Sequence, residues 1–304
     1  MEPKELHRRT VEQWTERVAA VGADQWELPT PCAQWNVRDL VNHVVGEELW
    51  TVPLVNGATI DEIGSRFDGD LLGADPTGAA RAAASGAADA ADRVSDDTQV
   101  QLSFGATDLR EYLYQLAADH LVHGWDLAVA TGGSTGLDPA AVDAVAAWFS
   151  EREELYRAGG AIGPRQASTG DPAADLLAAF GRQVDWGPNH AAVARFSAAF
   201  GSGDVDTIMA LMTDDCVFEA TGPAPDGRRF EGQAAVRSLW DELFDGAANA
   251  RFEEEESFVA GDQAVLRWRY TWTNSDGSPG HVRGVDVLRL RGGKVAEKLS
   301  YVKG

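Results

Sequence analysis

Apolar residues recur with two different periods along this chain, and the period changes near residue 187. Before that point Val11, Trp14, Val18 and Val21 lie three and four apart, the spacing of one helix face. Pro29-Thr30-Pro31 interrupts the stripe, and Asn36 is placed to cap a second helix running to about Trp50. Residues 76–95 are alanine-rich and predict a weaker, mostly solvated helix, and 100–104 a short β-prone run. Thr107 is placed to cap a long helix that ends near Gly132-Gly133. Asp138-Pro139 opens a helix through Tyr156, and Gly159-Gly160, Gly163-Pro164 and Asp171-Pro172 give 158–174 a loop composition. A short helix from Ala173 to Phe180 leads to Trp186. The expected product is an all-α, up-and-down bundle over residues 1–186.

After Gly187-Pro188 the pattern changes. Two short helices (Ala191 to Phe200, Val205 to Met212), the segment Cys216-Val217-Phe218-Glu219 and a helix around Val236 to Phe244 precede four strand candidates. These are Arg251 to Val259, Ala264 to Asn274, His281 to Arg291 and Lys294 to Val302. In the second of them Leu266, Trp268, Tyr270 and Trp272 alternate with Arg267, Arg269 and Thr271, and Asp276-Gly277 and Gly292-Gly293 supply turns. Helices first and an antiparallel sheet afterwards predict an α+β domain over 187–304, so the fold expected of the whole chain is multidomain.

Composition narrows the partners. With 304 residues, 44% of them apolar, the chain can fill two cores. A net charge of −22 argues against nucleic acid and anionic membrane, which both require a basic surface. No segment approaches the ~18 apolar residues of a membrane span, and the N-terminus lacks the apolar core of a signal peptide. Cys32 and Cys216 are far apart, which fits free thiols in a reducing compartment and a cytoplasmic location.

The candidate chemistry sits on helical segments. Asp119 precedes His123 by four residues, so at about 100° per residue both reach one point from one helix. His43 lies on the apolar face that follows Asn36. Two imidazoles and a carboxylate form a ligand set for a catalytic divalent ion that keeps positions open. His120, about 60° round the helix from His123, leaves a three-histidine set as an alternative. Asp126, one turn after His123, is placed either to orient a ligand imidazole or to serve as a helix-end charge. In the second half Asp286 falls between Val285 and Val287. It reads either as a buried acid–base group or as the partner of Arg283 or Lys298 in an ion pair.

The passages Thr30-Pro31-Cys32-Ala33-Gln34-Trp35-Asn36-Val37-Arg38-Asp39-Leu40-Val41-Asn42-His43 and His120-Leu121-Val122-His123-Gly124-Trp125-Asp126-Leu127-Ala128 resemble the DinB-like, mycothiol-dependent maleylpyruvate isomerase N-terminal family. With Asp175-Leu176-Leu177, Phe180-Gly181-Arg182 and Trp186, the resemblance extends over residues 5–186. It implies a four-helix bundle holding one ion on His43, Asp119 and His123, where the isomerase itself has glutamate at the position of Asp119. Zinc is the expected ion, with nickel or iron next. Neither cysteine is placed as an obvious nucleophile, so an external thiol has to supply the sulfur, and the resemblance implies mycothiol.

Residues 189–304 resemble the SnoaL-like, nuclear-transport-factor-2-like superfamily. The matching features are Ala194-Arg195-Phe196, Gly203-Asp204-Val205-Asp206, Asp214-Asp215-Cys216-Val217-Phe218-Glu219 and Arg283-Gly284-Val285-Asp286-Val287-Leu288-Arg289-Leu290. This resemblance implies a cone-shaped domain with a curved antiparallel sheet, pairing into a homodimer. It also implies inward positions for Phe196, Phe218 and Asp286, and the cavity expected there is bounded as well by Trp240 of the third helix and by Trp268, whose face strand alternation leaves open. Against the superfamily's ketosteroid isomerases, Asp286 matches the oxyanion aspartate, while Phe196 and Ala220 replace the tyrosine and the general base. That form of isomerisation is therefore not expected. The leading expectation is a metal- and thiol-dependent isomerase or transferase acting on a small organic molecule, with the SnoaL-like domain as substrate pocket. The alternatives are a non-catalytic small-molecule-binding protein, or a cyclase, hydrolase or isomerase whose chemistry lies in the cone domain.

Overall fold

The computed structural model describes residues 1–245, 250–274 and 276–303. The chain divides into two compact units, Met1–Trp186 and Gly187–Gly304.

The first unit is helical. Helix α1 (Pro3–Ala19) begins with proline in its first turn and buries Leu6, Val11, Trp14 and Val18, together with the polar His7 and Thr10. Helix α2 (Val37–Val55) starts at a capping box: Asp39 N donates to Asn36 Oδ1 at 2.8 Å, and Asn36 N donates to Asp39 Oδ2 at 3.2 Å. It runs one turn beyond Trp50 because Thr51, Leu54 and Val55 continue its buried face. A short α3 (Ile60–Ile63) leads to α4 (Pro76–Asp92), which is not mostly solvated as its composition suggests. Its six buried alanines form a smooth stripe that packs close against α2.

Strands β1 (Gln99–Leu102) and β2 (Gly105–Asp108) form a hairpin in which Thr107 pairs with Val100. Thr107 is thus held in the ladder, and Asp108 caps α5 (Leu109–Thr131) instead, accepting from Glu111 N at 2.8 Å. Helix α5 is buried almost all round from Leu116 to Ala128, and it stops where Gly132 takes the left-handed conformation (φ 73°). The single helix expected to run through Tyr156 is split into α6 (Pro139–Ser150) and α7 (Glu153–Ala158). At the break Arg152 turns inward and grips Glu111 with two hydrogen bonds of 2.8 Å. Helix α8 (Pro172–Ala179) completes the unit. Helices α1, α5, α2 and α4 touch in a closed ring, which makes them the four-helix bundle.

The second unit opens with α9 (Pro188–Ser202) and α10 (Val205–Ala210), followed by β3 (Met212–Glu219), β4 (Arg229–Glu231) and α11 (Gln233–Asp245). Strands β5 (Arg251–Ala260), β6 (Gln263–Thr273), β7 (Pro279–Arg291) and β8 (Lys294–Val302) follow. The six strands are ordered β4-β3-β8-β7-β6-β5, and every pair is antiparallel except β3–β8. Register shifts in β3–β8, β5–β6 and β7–β8 are the bulges that bend such a sheet round its helices. Phe196, Phe200, Ile208, Val236 and Trp240 of the helices pack there against Leu266, Leu288 and Leu290. Among the described residues, no helix is long and apolar enough to cross a membrane.

Candidate metal centre

Helices α2 and α5 bring His43, Asp119 and His123 together. One donor atom from each lies within 4.8 Å of the others. His43 Nε2 is 3.7 Å from Asp119 Oδ2, and the two imidazoles meet edge to face at 5.2 Å. Trp35, just before the α2 cap, covers one side, 4.7 Å from the His43 ring and 5.8 Å from that of His123. The side chains of His43 and Asp119 keep 28% and 36% of their exposure, so the cluster is open to solvent on one side. Burial opposes the charged form of Asp119, but the nearby imidazoles of His43 and His123 outweigh it and lower its pKa. His43 is raised despite burial by the neighbouring Asp119 carboxylate and by the charge of Glu47. Glu47, one turn after His43, is pushed up to about 7 by burial and by the charge of Asp119.

Behind this cluster Asp126 holds His123. Its Oδ2 lies 3.0 Å from His123 Nδ1, leaving Nε2 for an ion, the carboxylate–histidine arrangement that fixes tautomer and ring orientation in metal sites. Asp126 is itself anchored by Arg182, whose Nη2 donates at 2.8 Å and Nε at 3.2 Å, and by the Cys32 thiol, which donates at 3.4 Å. Burial and the charge of Asp126 push the Cys32 thiol up to about 12. Cys32, His123 and Asp126 also lie close enough to hold an ion. However, the guanidinium of Arg182 already neutralises Asp126 and would repel a cation there, so His43, Asp119 and His123 are the better donor set. Cys32 and Arg182 are 150 residues apart and meet Asp126 only through the fold. No local pattern marks either as part of the site.

His120 does not join the open cluster. Its displacement round α5 turns it inward, where Nε2 lies 2.6 Å from Glu48 Oε1 and Nδ1 lies 3.1 Å from Thr10 Oγ1. His7 Nε2 reaches the same Glu48 oxygen at 3.3 Å. Burial raises the Glu48 carboxyl, but His7 and His120 more than reverse that, to about 2.

In the second unit Asp286 pairs with Lys298 at 2.8 Å and accepts from Ser300 Oγ at 2.6 Å, while Lys298 Nζ donates to Ser300 Oγ at 2.8 Å. Lys298 Nζ also sits 4.9 Å and 5.0 Å over the rings of Phe200 and Phe218. Phe196, Trp268 and Asp286 line a cavity of about 30 Å³ with Ser197, Phe200, Phe252, Glu254 and Leu266. That is room for water and not for an organic ligand. Phe218 and Trp240 differ from expectation, because they are not in that lining. The two rings pack against each other at 5.6 Å, and the Trp240 ring fills the core between Phe218, Phe196 and Phe200. Trp268 is fixed over Gly284 on the neighbouring strand, where any Cβ would collide with the indole.

Comparison with known proteins follows the division into units. Residues 7–128 match the mycothiol maleylpyruvate isomerase N-terminal domain. The uncharacterized protein Rv0738 of Mycobacterium tuberculosis is 34% identical over 183 residues, which cover 58% of this chain and 87% of that protein. The chain belongs to one family with Rv0738, and its helical unit is similar to the mycothiol maleylpyruvate isomerase N-terminal domain over residues 7–128. Residues 193–298 match the SnoaL-like domain. An NTF2-like protein of unknown function from Mesorhizobium loti is 39% identical, covering 38% of this chain and 92% of that one, with a TM-score of 0.35. A putative polyketide cyclase from Xanthomonas campestris is 18% identical, covering 38% and 90%, with a TM-score of 0.33. The description of the matched domain names mycothiol, and the donor chemistry of the open cluster fits a divalent ion: two imidazoles, one carboxylate and a solvent-facing side.

Proposed function

We propose that this protein is a metal- and thiol-dependent isomerase or transferase acting on a small organic electrophile, with its chemistry in the helical unit. The observation that carries the reading is the convergence of His43, Asp119 and His123 on an open face, with Asp126 orienting His123 from behind. These three residues would hold one divalent ion, zinc ahead of nickel or iron, with water completing its shell. When bound, such an ion stabilises a thiolate at neutral pH.

The sulfur comes from outside the chain. Cys32 is held as a protonated thiol against Asp126, and Cys216 is buried in the other unit. Mycothiol is the external thiol that the matched domain favours. Trp35 gives the open cluster an apolar wall against which an organic group can lie. Glu47, whose affinity for a proton reaches to about neutral pH, is the group we assign to accept the thiol proton. A cation on the three ligands lowers that affinity, so Glu47 acts as a base and not as an acid.

The SnoaL-like unit serves as the substrate-capturing module in this reading. Its cavity must widen for that, by displacement of a lining ring such as Phe252. Lys298 supplies Asp286 with a resident counter-ion, which favours a structural role for this carboxylate over acid–base catalysis in the cone.

Calorimetry with mycothiol, on protein with and without zinc, tests the proposal. Binding only to the zinc-loaded protein, and its loss in His43→Ala, is the expected result. Equal binding with and without zinc would overturn it.

A further inference from the structure

The cluster formed by His7, Glu48 and His120 takes no part in the proposed reaction, yet it has the composition of a metal site. All three side chains are fully buried, one each from α1, α2 and α5, and one donor atom from each lies within 4.8 Å of the others.

Its hydrogen bonding does not close. Thr10 Oγ1 lies 3.1 Å from the carbonyls of both Leu6 and His7 and spends its single proton on one of them. Its oxygen therefore accepts from His120 Nδ1–H, and His120 Nε2 is left facing Glu48 Oε1 at 2.6 Å. The alignment that an N–H···O bond requires is absent there, so this buried nitrogen has no hydrogen-bond partner. Glu48 Oε2 is also buried without one. Orphaned polar atoms in a dry interior are destabilising, and a cation removes the defect.

We infer that His7, Glu48 and His120 form a second metal site, closed to solvent, that takes a divalent ion of the zinc class. Bonds of about 2.0–2.1 Å to a tetrahedral ion separate its ligand atoms by about 3.3 Å. That is the spacing already present between His7 and Glu48, 3.3 Å, so only His120 has to draw back from the carboxylate. Thr10 supplies the outer hydrogen bond that presents His120 through Nε2, as ligand histidines require.

The role follows from position. Glu48 and the open-site ligand His43 share α2, and His120 is the neighbour of Asp119 on α5. An ion that ties α1, α2 and α5 together fixes the helix pair on which the open centre is built. With no solvent-facing position it is structural, and it enters as the chain folds.

The test uses His43→Ala protein, which lacks the open centre and leaves the closed one untouched, produced in cobalt-supplemented medium. It should carry one cobalt(II) per chain with the visible absorption of a nitrogen- and oxygen-ligated ion. Adding Glu48→Gln should remove both the metal and the absorption, and adding Thr10→Val should shift the band. Wild-type protein made with zinc should hold two ions per chain, one stripped readily by a chelator and the other released only on unfolding. A His43→Ala protein that contains no cobalt overturns the inference. So does cobalt that survives Glu48→Gln with an unchanged spectrum.

Discussion

Each of the two units places a carboxylate among polar side chains at the heart of its fold, and the two are completed differently. In the helical unit Asp119 meets two imidazoles and keeps one side toward solvent, and Glu47 adds a second carboxyl group nearby. In the SnoaL-like unit Asp286 is closed off by Lys298 and Ser300, which satisfy it within hydrogen-bonding distance. A buried carboxylate becomes a binding site when the chain withholds its counter-charge, and a brace when the chain supplies one. The same contrast exists inside the helical unit, where Arg182 completes Asp126 while Asp119 is faced by imidazoles.

The sharpest way to break the comparison is His43→Ala. It should abolish metal at the open centre, read as the loss of the chelator-labile ion, while the SnoaL-like unit melts as before. Retention of that ion would mean that Cys32, His123 and Asp126 hold it instead.

Asp286→Asn comes next. It leaves Lys298 buried without its partner and should destabilise the second unit by about 3–5 kcal/mol. A companion Asp286→Asn/Lys298→Met protein should recover most of that in a melting curve. If the single change instead impairs ligand binding at unchanged stability, Asp286 belongs to a functional site and the contrast between the units fails.

Asp126→Asn sharpens the comparison. Loss of the carboxylate behind His123 should weaken zinc at the open centre about 10–100-fold, measured by competition with a chelator. Unchanged affinity would assign Asp126 and Arg182 to the fold alone.

The smallest effect expected is on acid stability. Glu48 has its pKa lowered from 4.5 to about 2 in the folded protein. Its contribution is therefore complete above about pH 4.5 and is lost as pH falls from there through 2. Tryptophan fluorescence should show the helical unit weakening over that window, with the step reduced in Glu48→Gln. A step of the same size in that variant would remove Glu48 as its cause.

Much of this molecule could be read along the chain, because the signals are local. The Asn36 cap and its box with Asp39, the Asp119/His123 spacing on one helix and the alternation of Leu266, Trp268 and Arg267 are each decided by residues a few positions apart. They were enough to propose two units and a ligand set. Other features depend on residues brought together from far away. The alanine stripe of α4 reads as solvated until α2 lies on it. Thr107 reads as a cap until its pairing with Val100 commits it to a ladder.

The polar clusters show the same limit. His120 and His123 are alike by type and nearly alike in position, and only the packing of α1 and α2 round α5 turns one inward to Glu48 and leaves the other at the open face. Asp286 reads equally well as an acid or as half of an ion pair until β7 and β8 align and place Lys298 against it. Periodicity and spacing thus determined which residues can act and on which elements they lie. Tertiary structure decided which charges meet, because the free energy of a buried charge is set by its neighbours in space and not along the chain.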